Sequence, residues 1–206
     1  MVAEEEREPI AFIVDDDEGV RQSIRRLFDE VSMPALEFGS ANDFLEAYDP
    51  DQPGCLLLDI RMPGMSGTEL QRTLLEREIF LPIIFITGHA DVALAVECMK
   101  LGAFDLIEKP FRAQRLLDTV HQAMAKDRED RALRTWVAEA KRRFSLLTNR
   151  EREVVDLAVT GLTNREISEE LGITSQAIDA HRSKAMWKVG VMRVTDLVRL
   201  SDLANR

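Results

Sequence analysis

Cys55-Leu56-Leu57-Leu58-Asp59-Ile60-Arg61-Met62-Pro63-Gly64 decides the fold: four apolar residues in a row, one carboxylate, and soon after it a Pro and a Gly. A run this short and this apolar, stopped by turn residues, predicts a strand buried on both faces. Asp59 then stands at the carboxyl end of a central strand, a place that suits a reactive group better than a structural one. Working outward, further apolar runs lie at 10–14, 35–38, 83–86 and 104–107. They alternate with stretches whose apolar residues recur three or four apart, which predicts five βα units. The expected buried faces are Val20, Ile24, Leu27 and Val31; Phe44 and Leu45; Leu70, Leu74 and Leu75; Val92, Ala95, Val96 and Met99; and Leu116, Leu117 and Val120. Continuous apolar strands with one-faced helices mean an α/β fold, a five-stranded doubly wound parallel sheet covered on both sides. In such sheets reactive groups collect at the carboxyl ends of the strands, where Asp15, Asp16, Asp59, Thr87 and Lys109 all fall.

The 206 residues suit two modest domains, and the charge divides them. Residues 1–125 carry 11 basic and 24 acidic residues, whereas residues 126–206 carry 16 and 13, so a front half at −13 precedes a back half at +3. Different partners are expected for the two halves. No apolar stretch approaches the roughly 20 residues of a bilayer span, and Glu4-Glu5-Glu6 is opposite in charge to a signal peptide. A cytoplasmic protein without membrane contact is expected. Cys55 and Cys98 sit in apolar segments without metal-ligand spacing and read as buried reduced thiols.

Residues 111–160 contain neither Gly nor Pro, and 113–143 are rich in Ala, Leu, Arg, Glu and Lys, which predicts one long helix leaving the first domain. Leu133, Val137, Ala140, Phe144 and Leu147 follow four-three spacing for about two heptads. Both a packed and a dimerising linker helix are consistent with that. The expected division is an acidic tail at 1–8, a first domain at 9–125, a helical linker at 126–144 and an all-α domain of four short helices at 145–206. In the last, Thr148-Asn149-Arg150-Glu151 offers a helix start, while Asn164–Leu171, the turn Gly172-Ile173-Thr174 and Ser175–Val189 make a helix-turn-helix pattern.

Carboxylates at two adjacent strand ends repel unless a cation sits among them. Mg²⁺ prefers oxygen ligands and keeps several waters, which suits two carboxylates, one carbonyl and an incoming phosphate. Asp16 and Asp59 are the expected direct ligands, with the Arg61 backbone carbonyl third and Asp15 acting through a water. A metal-held carboxylate can attack a phosphoryl donor and become an acyl phosphate. Lys109 could reach the new phosphoryl oxygens and Thr87 could offer its hydroxyl, neither being catalytic. A cis peptide before Pro110 is one way to aim Lys109. Taken singly, Asp15-Asp16-Asp17-Glu18 reads as a solvated loop, Lys109 as a surface lysine and Thr87 as a strand-end residue; only the set points to chemistry. His89, without a second His or Cys nearby, reads as a solvent-facing loop residue.

Ile13-Val14-Asp15-Asp16, Leu58-Asp59-Ile60-Arg61-Met62-Pro63, Ile86-Thr87-Gly88-His89 and Glu108-Lys109-Pro110-Phe111 together resemble a response-regulator receiver domain over about residues 9–125. The resemblance implies a flavodoxin-like sheet, a phosphoacceptor at Asp59, a cognate sensor histidine kinase as donor, and Thr87 and Lys109 as the groups that transmit the change. The family usually carries an aromatic switch residue where this chain has Leu106. Leu106 is therefore expected to act as packing while the helix at 91–101 and the strand at 105–108 shift, with Phe104 on the same strand face but not its simple replacement. Leu147-Thr148-Asn149-Arg150-Glu151, Gly161-Leu162-Thr163-Asn164-Arg165-Glu166-Ile167, Leu171-Gly172-Ile173 and His181-Arg182 resemble a LuxR-type helix-turn-helix. The pair of resemblances implies a FixJ/NarL-type transcriptional regulator, leaning toward FixJ, that acts on promoter DNA as a phosphorylation-driven homodimer, with RNA polymerase a further candidate partner.

On the second helix of that motif, Ile178, Ala185 and Val189 are expected to face the core. Gln176, Asp179, Ala180, Ser183 and Lys184 then face the major groove. His181, Arg182, Lys188 and the helix-start residue Thr174 are the expected phosphate contacts. Residues 145–206 hold 9 basic and 9 acidic residues, so one copy has no net charge with which to hold DNA. Two other readings stay open. An aspartate-nucleophile phosphatase usually needs a second Asp two residues on, and Arg61 stands there, so no enzyme is expected. A DNA binder that ignores phosphate would leave the set Asp16, Asp59, Thr87 and Lys109 without a purpose.

Overall fold

The five apolar runs pair into one parallel sheet, in the spatial order 35–38, 10–14, 54–59, 83–87, 105–108. The computed structural model describes residues 7–88 and 92–205; His89 and the expected helix start at residue 91 lie outside the described residues. In chain order the elements are β1 (Ile10–Val14), α1 (Glu18–Glu30), β2 (Ala35–Phe38), α2 (Ala41–Ala47), β3 (Gly54–Asp59), α3 (Gly67–Glu76), β4 (Ile83–Thr87), α4 (Val92–Lys100), β5 (Asp105–Glu108) and α5 (Ala113–Phe144). Four further helices follow: α6 (Asn149–Val159), α7 (Asn164–Leu171), α8 (Ser175–Val189) and α9 (Val194–Ala204). Two compact units divide the chain, the first ending at Asp130 and the second running from Arg131 to Arg206. None of the described helices is long and apolar enough to cross a membrane.

The period of two along each strand splits the first core into two layers. Ala11, Ile13, Cys55, Leu57, Ile84, Ile86 and Ile107 meet Ile24 and Phe28 of α1 and Leu116 and Val120 of α5. Phe12, Val14, Leu56, Leu58 and Phe85 meet Phe44 of α2, Leu70 and Leu74 of α3 and Cys98 of α4. β3 lies in the middle with all six residues buried, as its unbroken apolar run demands. Side-chain caps fix where the helices begin: Ser66, Thr148 and Thr163 each form a full capping box with the Glu three residues on. Each such cap contributes about 1 kcal/mol.

Three expectations need correction. Val31 and Leu75 are exposed, and Phe28 takes the buried place expected of Val31. On α4 the expected face is turned outward: Val92, Val96 and Met99 are 75%, 47% and 45% exposed, while Cys98 is fully buried. The cause is that α4 is apolar on nearly every side, so periodicity cannot choose a face. Leu94 and Cys98, four residues apart, pack inward, and the Cys98 carbonyl accepts a 3.1 Å hydrogen bond from the buried Gln71 amide. Phe104 also departs from the expected placement, since it precedes β5 and packs in the α1/α5 layer, whereas Leu106 packs in the opposite layer.

In the second unit α6, α7 and α8 surround Val154, Ala158, Ile167 and Ile178, and a neighbouring cluster joins Phe144, Val155, Ala185, Val189 and Leu197. Ile178, Ala185 and Val189 are fully buried, as their spacing predicts. Gly172 closes α7 in the left-handed region at φ 65°, where a side chain would be strained, and so permits the tight turn into α8. Of the heptad positions, Ala140 and Phe144 are buried and Leu133 is exposed, so the end of α5 packs within its own unit.

Candidate functional site

The carboxyl ends of β1, β3, β4 and β5 bring the predicted acids, hydroxyl and ammonium together. Lys109 Nζ lies 2.7 Å from Asp15 Oδ2 and 2.9 Å from Asp59 Oδ1, so one ammonium bridges two strand ends. Asp59 Oδ2 accepts a 2.7 Å bond from the Arg61 N–H, which orients the carboxylate along the loop after β3. Thr87 is buried at the end of β4, and its carbonyl accepts a 2.7 Å bond from the Lys109 N–H, tying the hydroxyl-bearing residue to the lysine. The Lys109-Pro110 peptide is cis.

The run of three aspartates divides its labour. Asp15 is buried, and its Oδ1 also accepts from the Asp17 N–H at 2.9 Å. Burial raises the Asp15 pKa, opposed by the hydrogen bonds from Lys109 and the Asp17 amide. Burial works against the Lys109 ammonium in turn, but hydrogen bonds to Asp15 and Asp59 and their charges outweigh it and raise its pKa. Asp16 is exposed, and Asp17 caps α1 by accepting from the Gly19 and Val20 N–H groups. Arg21, one turn into α1, donates to the Asp15 backbone carbonyl at 2.7 Å. Among the described residues no three His, Cys, Asp or Glu side chains form a metal cage. What the strand ends offer is hard oxygen donors: Asp15 and Asp59 share the Lys109 ammonium, and Asp16 is exposed on the adjoining loop. That fits a divalent ion that needs few protein ligands and keeps its waters.

Gly67 completes the site from beneath. Its N–H donates to the Ile60 carbonyl at 3.0 Å, and a Cβ there would stand 2.2 Å from the backbone oxygen of Asp59. The atom it meets is backbone and cannot swing away. Gly67→Ala is therefore expected to displace the Asp59 loop and to destabilise the first unit by about 2 kcal/mol, read as a lower midpoint in urea.

In the second unit Gln176, Asp179, Ala180, Ser183 and Lys184 are exposed on α8 as expected, His181 and Arg182 are half-buried, and Thr174 caps the helix by accepting from the Ala177 N–H. Arg182 Nη1 donates to Asn164 Oδ1 at 2.9 Å, and the Asn164 amide donates to Asp179. Asp179 and Arg182 are thus held as a pair by the first residue of α7, a position that the sequence alone does not single out. Lys188 departs from its expected part. Its ammonium lies 2.6 Å from Glu151 Oε2, and Glu151 is buried beneath it while closing the capping box of α6. The hydrogen bond from Lys188 and that from the Thr148 N–H hold the Glu151 carboxyl down at about 2. A phosphate contact through Lys188 would have to take the lysine from a buried carboxylate. Trp187, beside it, is exposed.

The family model of the response regulator receiver domain matches residues 11–121, and that of bacterial regulatory proteins of the luxR family matches residues 145–201. Nodulation protein W of Bradyrhizobium diazoefficiens is 42% identical over 193 residues, which cover 94% of this chain and 85% of that one. Transcriptional regulatory protein FixJ of Azorhizobium caulinodans is 37% identical, with 94% and 92% covered. A structure of response regulator StyR superposes with a TM-score of 0.82 at 41% identity, covering 95% of this chain and 98% of that one. The two matched regions coincide with the strand-end site and with the helix-turn-helix, and the relatives span nearly the whole chain, so this protein belongs to the two-component response regulators of the FixJ/NodW type, transcription regulators that join a receiver domain to a LuxR-type DNA-binding domain.

Proposed function

We propose that Asp59 accepts a phosphoryl group from a sensor histidine kinase, and that the phosphorylated receiver dimerises and so pairs two DNA readers on a promoter. The observation that carries this reading is the Lys109 ammonium placed against both Asp15 and Asp59, with Thr87 at the adjacent strand end. In the transfer, a carboxylate oxygen of Asp59 forms the new P–O bond as the bond from phosphorus to the donor's imidazole nitrogen breaks. Lys109 leaves Asp59 for the phosphoryl oxygens while keeping Asp15, and the Thr87 hydroxyl donates to another of them. Asp16, Asp59 and the Arg61 carbonyl would hold Mg²⁺, with Asp15 behind a water. Bound there, the ion offsets repulsion between the carboxylates and the incoming phosphate.

The outward stripe of Val92, Val96 and Met99 on α4 supports dimerisation through the face at 92–108, since exposed apolar residues in a row mark association surfaces. Leu106, half-buried behind that face, serves as packing that follows the movement of α4 and β5. Sedimentation with acetyl phosphate and Mg²⁺ tests the reading: the wild type is expected to shift from monomer to dimer, and Val96→Glu to stay monomeric while still taking up phosphate. A Val96→Glu protein that dimerises as the wild type does would rule out this face.

DNA affinity should depend on the dimer because the reader carries equal numbers of acids and bases, and two copies double the phosphate contacts. Thr174, His181 and Arg182 would hold phosphates while Gln176, Asp179, Ala180, Ser183 and Lys184 meet base edges. Asp179 repels phosphate in general but can accept from a cytosine amino group. Asp179→Ala is expected to raise affinity for random duplex several-fold and to narrow the gap between specific and random DNA, measured by fluorescence anisotropy at fixed salt. A fall in affinity for both would count against a groove-facing Asp179.

A further inference from the structure

We propose that the receiver unit carries a second binding site, remote from Asp59, for a small neutral molecule with an apolar body and one N–H or O–H donor. A cavity of about 470 Å³ opens between α3, the turn leading into β5, and α5. It lies at the starts of β4 and β5, beside Ile83 and Ala103, whereas Thr87 and Lys109 mark the other ends of the same strands. Its wall is mostly apolar, from Leu74, Leu75, Ile79, Phe80 and Phe104. A volume in this range suits a small ligand.

One polar group in the wall gives the cavity its chemistry. Gln71 is 1% exposed and lines the space; its Nε2 donates to the Cys98 carbonyl, while its Oε1 is buried without a hydrogen-bond donor. Turning the amide over would set two oxygens 3.1 Å apart, so the contact to Cys98 fixes which atom is the acceptor. A buried acceptor left unsatisfied is costly, and a ligand that brings a donor removes that cost. Water alone serves poorly, since a buried water needs two to four polar partners and this wall offers few. The charges at the rim, Lys126 and Asp130, lie 2.7 Å apart and offset each other, which favours a neutral occupant over an ion. Because the same amide holds the Cys98 carbonyl of α4, an occupant would be felt by the helix that carries Val92, Val96 and Met99.

Indole and its isostere indene, which lacks the N–H, make the test. Each is titrated into the ¹⁵N-labelled 206-residue protein while the Gln71 side-chain amide and the Gly102 and Ala103 backbone amides are followed by NMR. Saturable shifts at those three positions are expected for indole, with indene at least about tenfold weaker. Gln71→Leu is expected to abolish the difference between the two. Should that variant fail to fold, Leu75→Trp fills the cavity from its exposed edge and is expected to weaken indole more than tenfold. Absence of saturable indole shifts, equal binding of indole and indene by the wild type, or undiminished indole binding by Leu75→Trp would each overturn the proposal.

Discussion

Replacing Asp59 by Asn is expected to abolish phosphate uptake altogether. With acetyl phosphate and Mg²⁺ the wild type should gain a single phosphoryl group, stable to acid and labile to base, and mass spectrometry of Asp59→Asn should show none. The geometry explains why no neighbour substitutes. Asp15 is buried and engaged by Lys109 and the Asp17 amide, and Asp17 is occupied as the cap of α1. Asp16 is exposed, but it stands on the loop after β1 rather than at the end of the central strand. Lys109 remains tied to Asp15 when Asp59 loses its charge, so the variant is expected to stay folded. Phosphate persisting in Asp59→Asn would move the acceptor to another carboxylate and with it the whole reading of the strand ends.

Lys188→Met is expected to lower the stability of the second unit by about 2 kcal/mol, less than the roughly 3 to 5 kcal/mol for breaking a fully buried pair, because the lysine is about a quarter exposed. The loss comes from Glu151, left buried beside an apolar side chain while still closing the capping box of α6. The sign with pH follows from the lowered pKa. Glu151 binds fewer protons folded than unfolded, so its contribution is complete above its unfolded value of about 4.3 and fades as pH falls toward 2. In Lys188→Met that acid loss should be smaller, because there is less to lose. Urea titrations across pH 2 to 6 separate this from a part in DNA contact. A phosphate contact would lower the salt slope of DNA binding by about 0.9, whereas an internal counter-ion changes the midpoint in urea and leaves the slope in place.

Local signals in the chain are enough for much of the fold. β3 can be read from four apolar residues and a stop, and α7 and α8 from a capping threonine at one end and a glycine at the other, because those signals are short-range and chemically specific. The first unit's candidate site is legible for the same reason, as four of the five strand runs lead to a residue whose chemistry is out of place in a core. Features that escape such reading depend on contacts distant in sequence. Nothing near Lys188 reveals that Glu151, 37 positions earlier, would be buried beneath it. Asn164 looks like an ordinary helix-start residue until α8 places Asp179 and Arg182 against it. The outward face of α4 defeats periodicity because Val92, Leu94, Val96, Cys98 and Met99 are all apolar, and only the Gln71 contact and the β5 side of the sheet decide which of them turn inward.

Gly67 has a consequence for anyone who screens this protein by mutation. It bears no functional group, yet any side chain there collides with the carbonyl of Asp59, the proposed phosphoacceptor. Random mutagenesis scored on signalling output would therefore return Gly67 alleles alongside Asp59 alleles, and a ranking by phenotype alone would file a steric wedge among the chemical groups. The two classes part only under a second selection: compensating changes that relax the loop at 60–66 could restore a Gly67 allele, and no change of backbone fit could restore Asp59→Asn.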